Sequence, residues 1–252
     1  VEAVSVAACY TVKNEADIIE ASFRHMLAEG IDHIYTTDNM STDGTREIME
    51  CIASETGRIT IIEDREPFYR QVYWMTLLTD MARNAGHEWV VASDADEWWY
   101  ATSGQTIADV LANYQGHKLY ARSYQHHDWN MRQIEPKRLP KVAYRLVPDA
   151  QLHIGNHDVS IVGGEYEVLD LREIQYRSLA HFIAKTRNSA ATLAPEQRAI
   201  GAGSHHTDRE AMSDEELAEQ WQAMMAIPTV CDPIPSHLPS ASLYLSMGTS
   251  TT

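Results

Sequence analysis

Two hydrophobic rhythms alternate through the first hundred residues, and that alternation constrains the fold more than any other feature. SVAACYTV (5–12) is a short apolar run of strand type. The segment after it places Ile19, Phe23, Met26 and Leu27 at helical spacing, with Gly30 as a stop. HIYTTD (33–38) reads as strand, and TREIMECIASETG (45–57) as helix, with Ile48, Met49 and Ile52 on one face. RITIIE (58–63) is a third strand, Phe68 to Asn84 a third helix, and EWVVASD (88–94) a fourth strand. Strands joined through helices imply right-handed crossovers and a largely parallel sheet covered on both faces.

Beyond residue 100 the rhythm changes. TIADVLANY predicts a helix, and HKLYARSYQ (117–125) and PKVAYRLVP (140–148) predict longer strands. Further strand signals between 151 and 177 are broken by Gly163 and Gly164. SDEELAEQWQAMMA (213–226) predicts a helix opened by a capping box of Ser213 and Glu216. The expected organisation is a nucleotide-binding-style front half (1–100), an irregular, mixed half of the same domain (101–230), and a loop or disordered tail (231–252).

Composition narrows the function. A formal net charge of −16 over 252 residues disfavours nucleic acid as a partner, since phosphate backbones are held by clustered Lys and Arg. An anionic ligand would then need a local counter-charge. Cys9, Cys51 and Cys231 are widely spaced, so they suggest neither a disulfide framework nor a zinc knuckle, and a cytoplasmic setting is expected. No run approaches 18 apolar residues, and the start, without Met and almost on a strand, reads as trimmed and lacks a signal-peptide pattern.

In open parallel sheets, ligands bind beyond the carboxyl ends of the strands. Three such ends are polar here: TVKNEAD, TTDNMSTDGT and SDADEWW. In the second, Ser41, Thr42 or Asp43 caps the next helix and Gly44 permits a tight turn. Asp38 in that stretch could accept hydrogen bonds from a base or ribose, with Asn39 and Ser41 beside it. In the third, alternate residues of an extended strand end point the same way, so Asp94 and Asp96 could present two carboxylates to one cation. Hard oxygen ligands suit Mg²⁺ or Mn²⁺, with a substrate diphosphate completing the shell. Glu97 and the tryptophans after it either support the turn and wall the pocket or pack in the core. The histidines have no HExxH-like spacing that would favour zinc.

Taken in order, VKNEADIIEASFRHMLAEGIDHIYTTDNMSTDGT, SDADEWW, PKVAYRLVP, HIGNH and LAHFIAKT resemble the glycosyltransferase family 2-like group, across roughly residues 5–190. That resemblance implies the GT-A fold, an α/β architecture with a mostly parallel central sheet, helices on both faces and a mixed C-terminal half. It also implies transfer of a sugar from a nucleoside diphosphate, UDP or GDP, to an acceptor hydroxyl with inversion, aided by Mn²⁺ or Mg²⁺. Thr11, Lys13, Asn14 and Glu15 would surround the nucleotide, with Asp38 near its base. Asp94 and Asp96 would bind the metal, Asp94 also lying close to the ribose. His181 would be a further metal or diphosphate ligand, and Lys185 would meet a phosphate oxygen. Met40 and Thr186 depart from the family pattern, which has a small Gly-like residue and Ser at those positions.

An inverting transferase needs a base for the acceptor. Asp128, Asp158 and Glu165 are candidates, with Asp158 first because it follows HIGNH. His157, in the same stretch, is the runner-up metal or acceptor ligand, and Trp98 and Trp129 could stack on sugar faces. The other readings are a metal-dependent phosphohydrolase or nucleotidyltransferase using the same carboxylates, and a non-catalytic sugar-nucleotide-binding protein.

Overall fold

The computed structural model describes residues 4–68, 70–153, 156–192 and 208–234. The expected tail lies almost wholly outside them. The elements run β1 (Val6–Val12), α1 (Ile19–Ala28), β2 (His33–Asp38), α2 (Thr45–Thr56), β3 (Ile59–Glu63), α3 (Gln71–Asn84), β4 (Trp89–Ala92) and β5 (Glu97–Ala101). Then come α4 (Ile107–Asn113), β6 (Lys118–Gln125), β7 (Met131–Gln133), β8 (Lys141–Arg145), β9 (Glu165–Glu173), α5 (Leu179–Thr192), α6 (Asp214–Met225) and β10 (Thr229–Cys231).

Eight strands form one sheet in the order β3-β2-β1-β4-β8-β6-β9-β5, while β10 and β7 make a separate antiparallel pair. The four front strands are parallel. β8 runs against β4 and β6, and β5 runs against β9, so the remaining strands all point one way. This is the mostly parallel α/β architecture expected from the sequence, and both halves of the chain contribute to it.

β1 shows why the sheet is covered twice. Val6, Ala8, Tyr10 and Val12 point into a core under α1, α2 and α4, built on Phe23, Met26, Met49, Ile52 and Leu111. Ala7 and Cys9 point the other way, toward Met75, Leu78 and Ala82 of α3. A short hairpin, in which Leu152 bridges Val159, lies on that second face. The carboxyl ends of β1, β2, β4, β6 and β9 and the amino end of β8 therefore share one edge.

Two expectations need correction. The fourth strand stops at Ala92, and Asp94–Asp96 form a turn closed by Glu97 N–H on the Asp94 carbonyl (3.2 Å) rather than an extended strand end. EWWYA then starts a strand of its own. Trp98, 1% exposed, is core packing and faces no acceptor; its ring meets Trp129 edge-on at 5.2 Å.

Candidate active site

The first two strand ends lock together before any ligand is considered. Asn14 N–H donates to Ser41 Oγ (2.9 Å), and Asn14 Oδ1 accepts from Thr42 N–H (2.8 Å). Glu15 N–H donates to Thr45 Oγ1 (2.8 Å). Gly44, at φ +97°, is the N-cap residue of α2, where the sequence points to Ser41, Thr42 or Asp43 as the cap itself. Asp43 Oδ1, one residue before it, accepts Thr45 N–H (3.0 Å). Met40 sits at φ +52°, a left-handed conformation that favours glycine. Thr11 lies at the β1 end, in register with Thr37.

Asn39 is buried and spends its amide on structure. Its Nδ2 donates to Asp64 Oδ2 and to the Glu66 carbonyl, both at 2.8 Å, and its Oδ1 accepts from Lys13 Nζ (3.0 Å). Asp38 accepts Ser41 N–H (3.2 Å) and is buried beside it. Asn39 thus fixes Lys13 and Asp64 around the pocket and has no amide hydrogen left for a nucleotide.

The acids of the third strand end meet cations from the back half of the chain. Lys141 Nζ, at the start of β8, lies 2.5 Å from Asp94 Oδ2 and 2.9 Å from Glu97 Oε1. Burial alone would discharge Lys141, but Asp94 and Glu97 raise its pKa well above the ordinary lysine value. Glu97 is buried and also accepts Asp94 N–H (3.0 Å) and Trp99 Nε1–H (3.3 Å), which pins the turn. Gln71 and Asn156 each approach Asp94 Oδ1 at 3.4 Å.

On α5, Lys185 Nζ bridges Asp96 Oδ2 (2.6 Å) and Glu15 Oε1 (3.1 Å). Burial works to raise the Asp96 pKa, yet Lys185 holds it well below the usual carboxylate range. One helical turn before Lys185, burial and then Arg177 and Lys185 press His181 down to about 3, so its imidazole is neutral. Asp96 and His181 therefore both present lone pairs at neutral pH. Arg177 Nη2, just before α5, donates to Glu15 Oε2 (2.7 Å).

The 151–160 hairpin splits its motif between two places. Asn156 approaches Asp94, and His157 Nδ1 lies 2.7 Å from the Pro140 carbonyl. Asp158, one residue on, turns back onto the sheet. Its Oδ1 accepts from Lys118 Nζ (2.8 Å), Tyr120 OH (2.7 Å) and Val159 N–H (2.8 Å). Burial opposes ionisation there, but these donors lower its pKa, which makes Asp158 a weak base outside the acidic turn. Trp129 is partly buried against the main core.

Sequence reasoning thus found the acids and missed Lys141, Asn156, Asp64 and Arg177. A lysine inside the apolar run PKVAYRLVP was the one visible signal for Lys141. The others come together only through pairings distant in sequence.

A profile described as glycosyl transferase family 2 matches residues 8–163, well over half of the chain. The chain belongs to glycosyl transferase family 2. A search of curated proteins finds no match. Among solved structures, this glycosyltransferase is similar to TarS 1–349 of S. aureus in complex with UDP, at 12% identity, TM-score 0.48, covering 86% of this chain and 78% of that one. It is also similar to the mannosyltransferase PcManGT from Pyrobaculum calidifontis in complex with GDP-Man and Mn²⁺, at 18% identity, TM-score 0.48, covering 96% and 79%. No helix among the described residues is long and apolar enough to cross a membrane.

Proposed function

We propose that this family 2 glycosyltransferase moves a sugar from a nucleoside diphosphate, UDP or GDP, to an acceptor hydroxyl with inversion. The observation that carries the reading is the meeting of KNE, DNMSTDGT and DADE at one sheet edge with Lys141 and Lys185. The nucleoside would lie between Lys13, Asp38 and Asp64, with its diphosphate toward Asp96 and Lys185. The three cysteines are free thiols, which suits a reducing cytoplasm.

Among the described residues, no three His, Cys, Asp or Glu side chains gather closely enough to hold a metal ion by themselves. The donor set nevertheless fits Mn²⁺ or Mg²⁺, because such ions are bound by one or two carboxylates with substrate phosphates completing the shell. Asp96, with Asp94 or neutral His181 as its second protein ligand, would hold it together with the donor's phosphates. Bound there, it would cancel charge building on the leaving diphosphate. Lys185 would remain beside Asp96 as a second positive charge for the same group.

His157 is better suited than Asp158 to receive the acceptor proton. Donation to the Pro140 carbonyl requires hydrogen on Nδ1, which leaves the lone pair on Nε2. Burial and Lys141 lower the His157 pKa, keeping that lone pair available at neutral pH. The acceptor O–H proton goes to Nε2, the oxygen bonds to the anomeric carbon, and the bond to the diphosphate breaks with its electron pair on the phosphate oxygen.

The test is release of UDP or GDP from a panel of their sugars, with NMR of the product anomer. One donor should be consumed, with inversion. His157→Gln should lower kcat by about 10²–10⁴-fold, the usual range for a lost acid or base, whereas Asp158→Asn should stay within a few-fold of wild type. No turnover of any donor, or retention, would contradict the reading.

A further inference from the structure

Arg177 is the most under-used donor in the site. Its side chain is 11% exposed, and a guanidinium carries five N–H groups. Two of them, both on Nη2, are hydrogen-bonded: one to Glu15 Oε2 at 2.7 Å and one to Asp17 Oδ1 at 2.9 Å. Nη1 is buried and makes no hydrogen bond. Nε lies 2.6 Å from Asp17 Oδ2 but makes no hydrogen bond along its N–H. Buried donors left unmade are costly, so such a group in a folded protein calls for a partner.

Asp17 sits side-on to this fork, and its side chain is 53% exposed. That arrangement, two carboxylate oxygens facing Nε and Nη2, is the one a phosphoryl group adopts on arginine. Asp17 is the half-exposed partner of that pair, so its carboxylate can turn to water as another anion takes the fork. Glu15 behaves differently. It is buried, and it holds Arg177 on one oxygen and Lys185 on the other, at 2.7 and 3.1 Å. Two cations are thereby fixed on either side of one carboxylate, next to Asp96. A diphosphate, with two adjacent anionic groups, matches that pair.

We infer that Arg177 binds the diphosphate of the donor, and that Asp17 occupies its guanidinium fork until the donor displaces it. This rests on the donor reading above and adds a residue and an exchange to it. Glu15 holds Arg177 in place throughout, so the site is built before the ligand arrives.

The experiment is titration calorimetry at fixed Mg²⁺ with UDP, GDP, uridine and guanosine, on wild type, Arg177→Gln and Asp17→Asn. For the nucleotide that wild type binds, Arg177→Gln should raise the Kd of the diphosphate by about 10–100-fold, the worth of charge-assisted hydrogen bonds. The matching nucleoside should change by less than about 2-fold. Asp17→Asn should act oppositely, lowering the diphosphate Kd by about 2–5-fold as a competing half-exposed carboxylate is lost. Its exposed position makes misfolding no obstacle even where Arg177→Gln fails to fold. Wild-type binding of a diphosphate that neither variant alters, or a Asp17→Asn variant that weakens it, would overturn this inference and leave the donor reading standing. Wild type that binds neither UDP nor GDP would remove both.

Discussion

Asp96 and Glu97 are sequence neighbours with opposite employment. Asp96 faces Lys185 at the sheet edge, while Glu97 is sealed beneath the turn with Lys141. The crowding of acids in SDADEWW announced a positive charge, and that much was legible. Its source was not, because Lys141 and Lys185 lie 47 and 89 residues from the acids they meet. The same distance hid the fate of Asp158, since nothing in HIGNHD reveals that Lys118 and Tyr120 wait on the sheet face. Lys141 gives the sharpest test at this scale. Removing one partner of a buried ion pair typically costs about 3–5 kcal/mol. Lys141→Met should destabilise by that order in urea unfolding, and adding Glu97→Gln should restore part of it, because the two effects share one contact. Simple additivity of the two substitutions would contradict the pairing.

At the scale of elements, the front half was legible because its signals are local. Each β-α unit announces itself within a single stretch of chain, and β1 through β4 fall where the apolar runs put them, to within two residues. β5 was not legible. EWWYA is buried on both sides and pairs with β9, Glu97 with Glu173 through Ala101 with Leu169. An apolar, aromatic run gives no periodicity to mark that, and its antiparallel partner lies some seventy residues away. The capping box of α6 was legible because it is written in four residues: Ser213 Oγ accepts Glu216 N–H (3.2 Å), and Glu216 Oε2 accepts Ser213 N–H (2.7 Å). Ser213→Ala should lower stability by about 1 kcal/mol. An unchanged urea midpoint would contradict that, leaving α6 to its packing on Tyr176 and Phe182 and to the Arg187–Asp214 pair.

For the whole molecule, several histidines are folded in uncharged. Burial lowers His126 to about 4, and burial with neighbouring cations lowers His157 and His181. Each has a folded pKa below its unfolded value near 6.5, so below that pH the unfolded chain binds protons that the folded one refuses. These groups therefore make stability fall as pH drops from about 6.5 toward 4, by up to about 1.4 kcal/mol per unit for each, while buried Glu97, raised to about 8, adds stability over the same range. Urea unfolding at pH 7.5, 6 and 5 would check this, and His126→Gln should flatten the slope. A difference between wild type and His126→Gln that does not change between pH 7.5 and 5 would contradict it.

The claim at the centre is that the sheet edge holding Asp96 is a nucleoside diphosphate-sugar site. A ligand bound by the folded state alone raises its apparent stability. The measurement is thermal unfolding with UDP, GDP and their sugars, with and without Mn²⁺, on wild type and Asp96→Asn. A Mn²⁺-dependent rise in Tm with one nucleotide, absent from Asp96→Asn, is expected. No rise with any of them, or an equal rise in the variant, would contradict it.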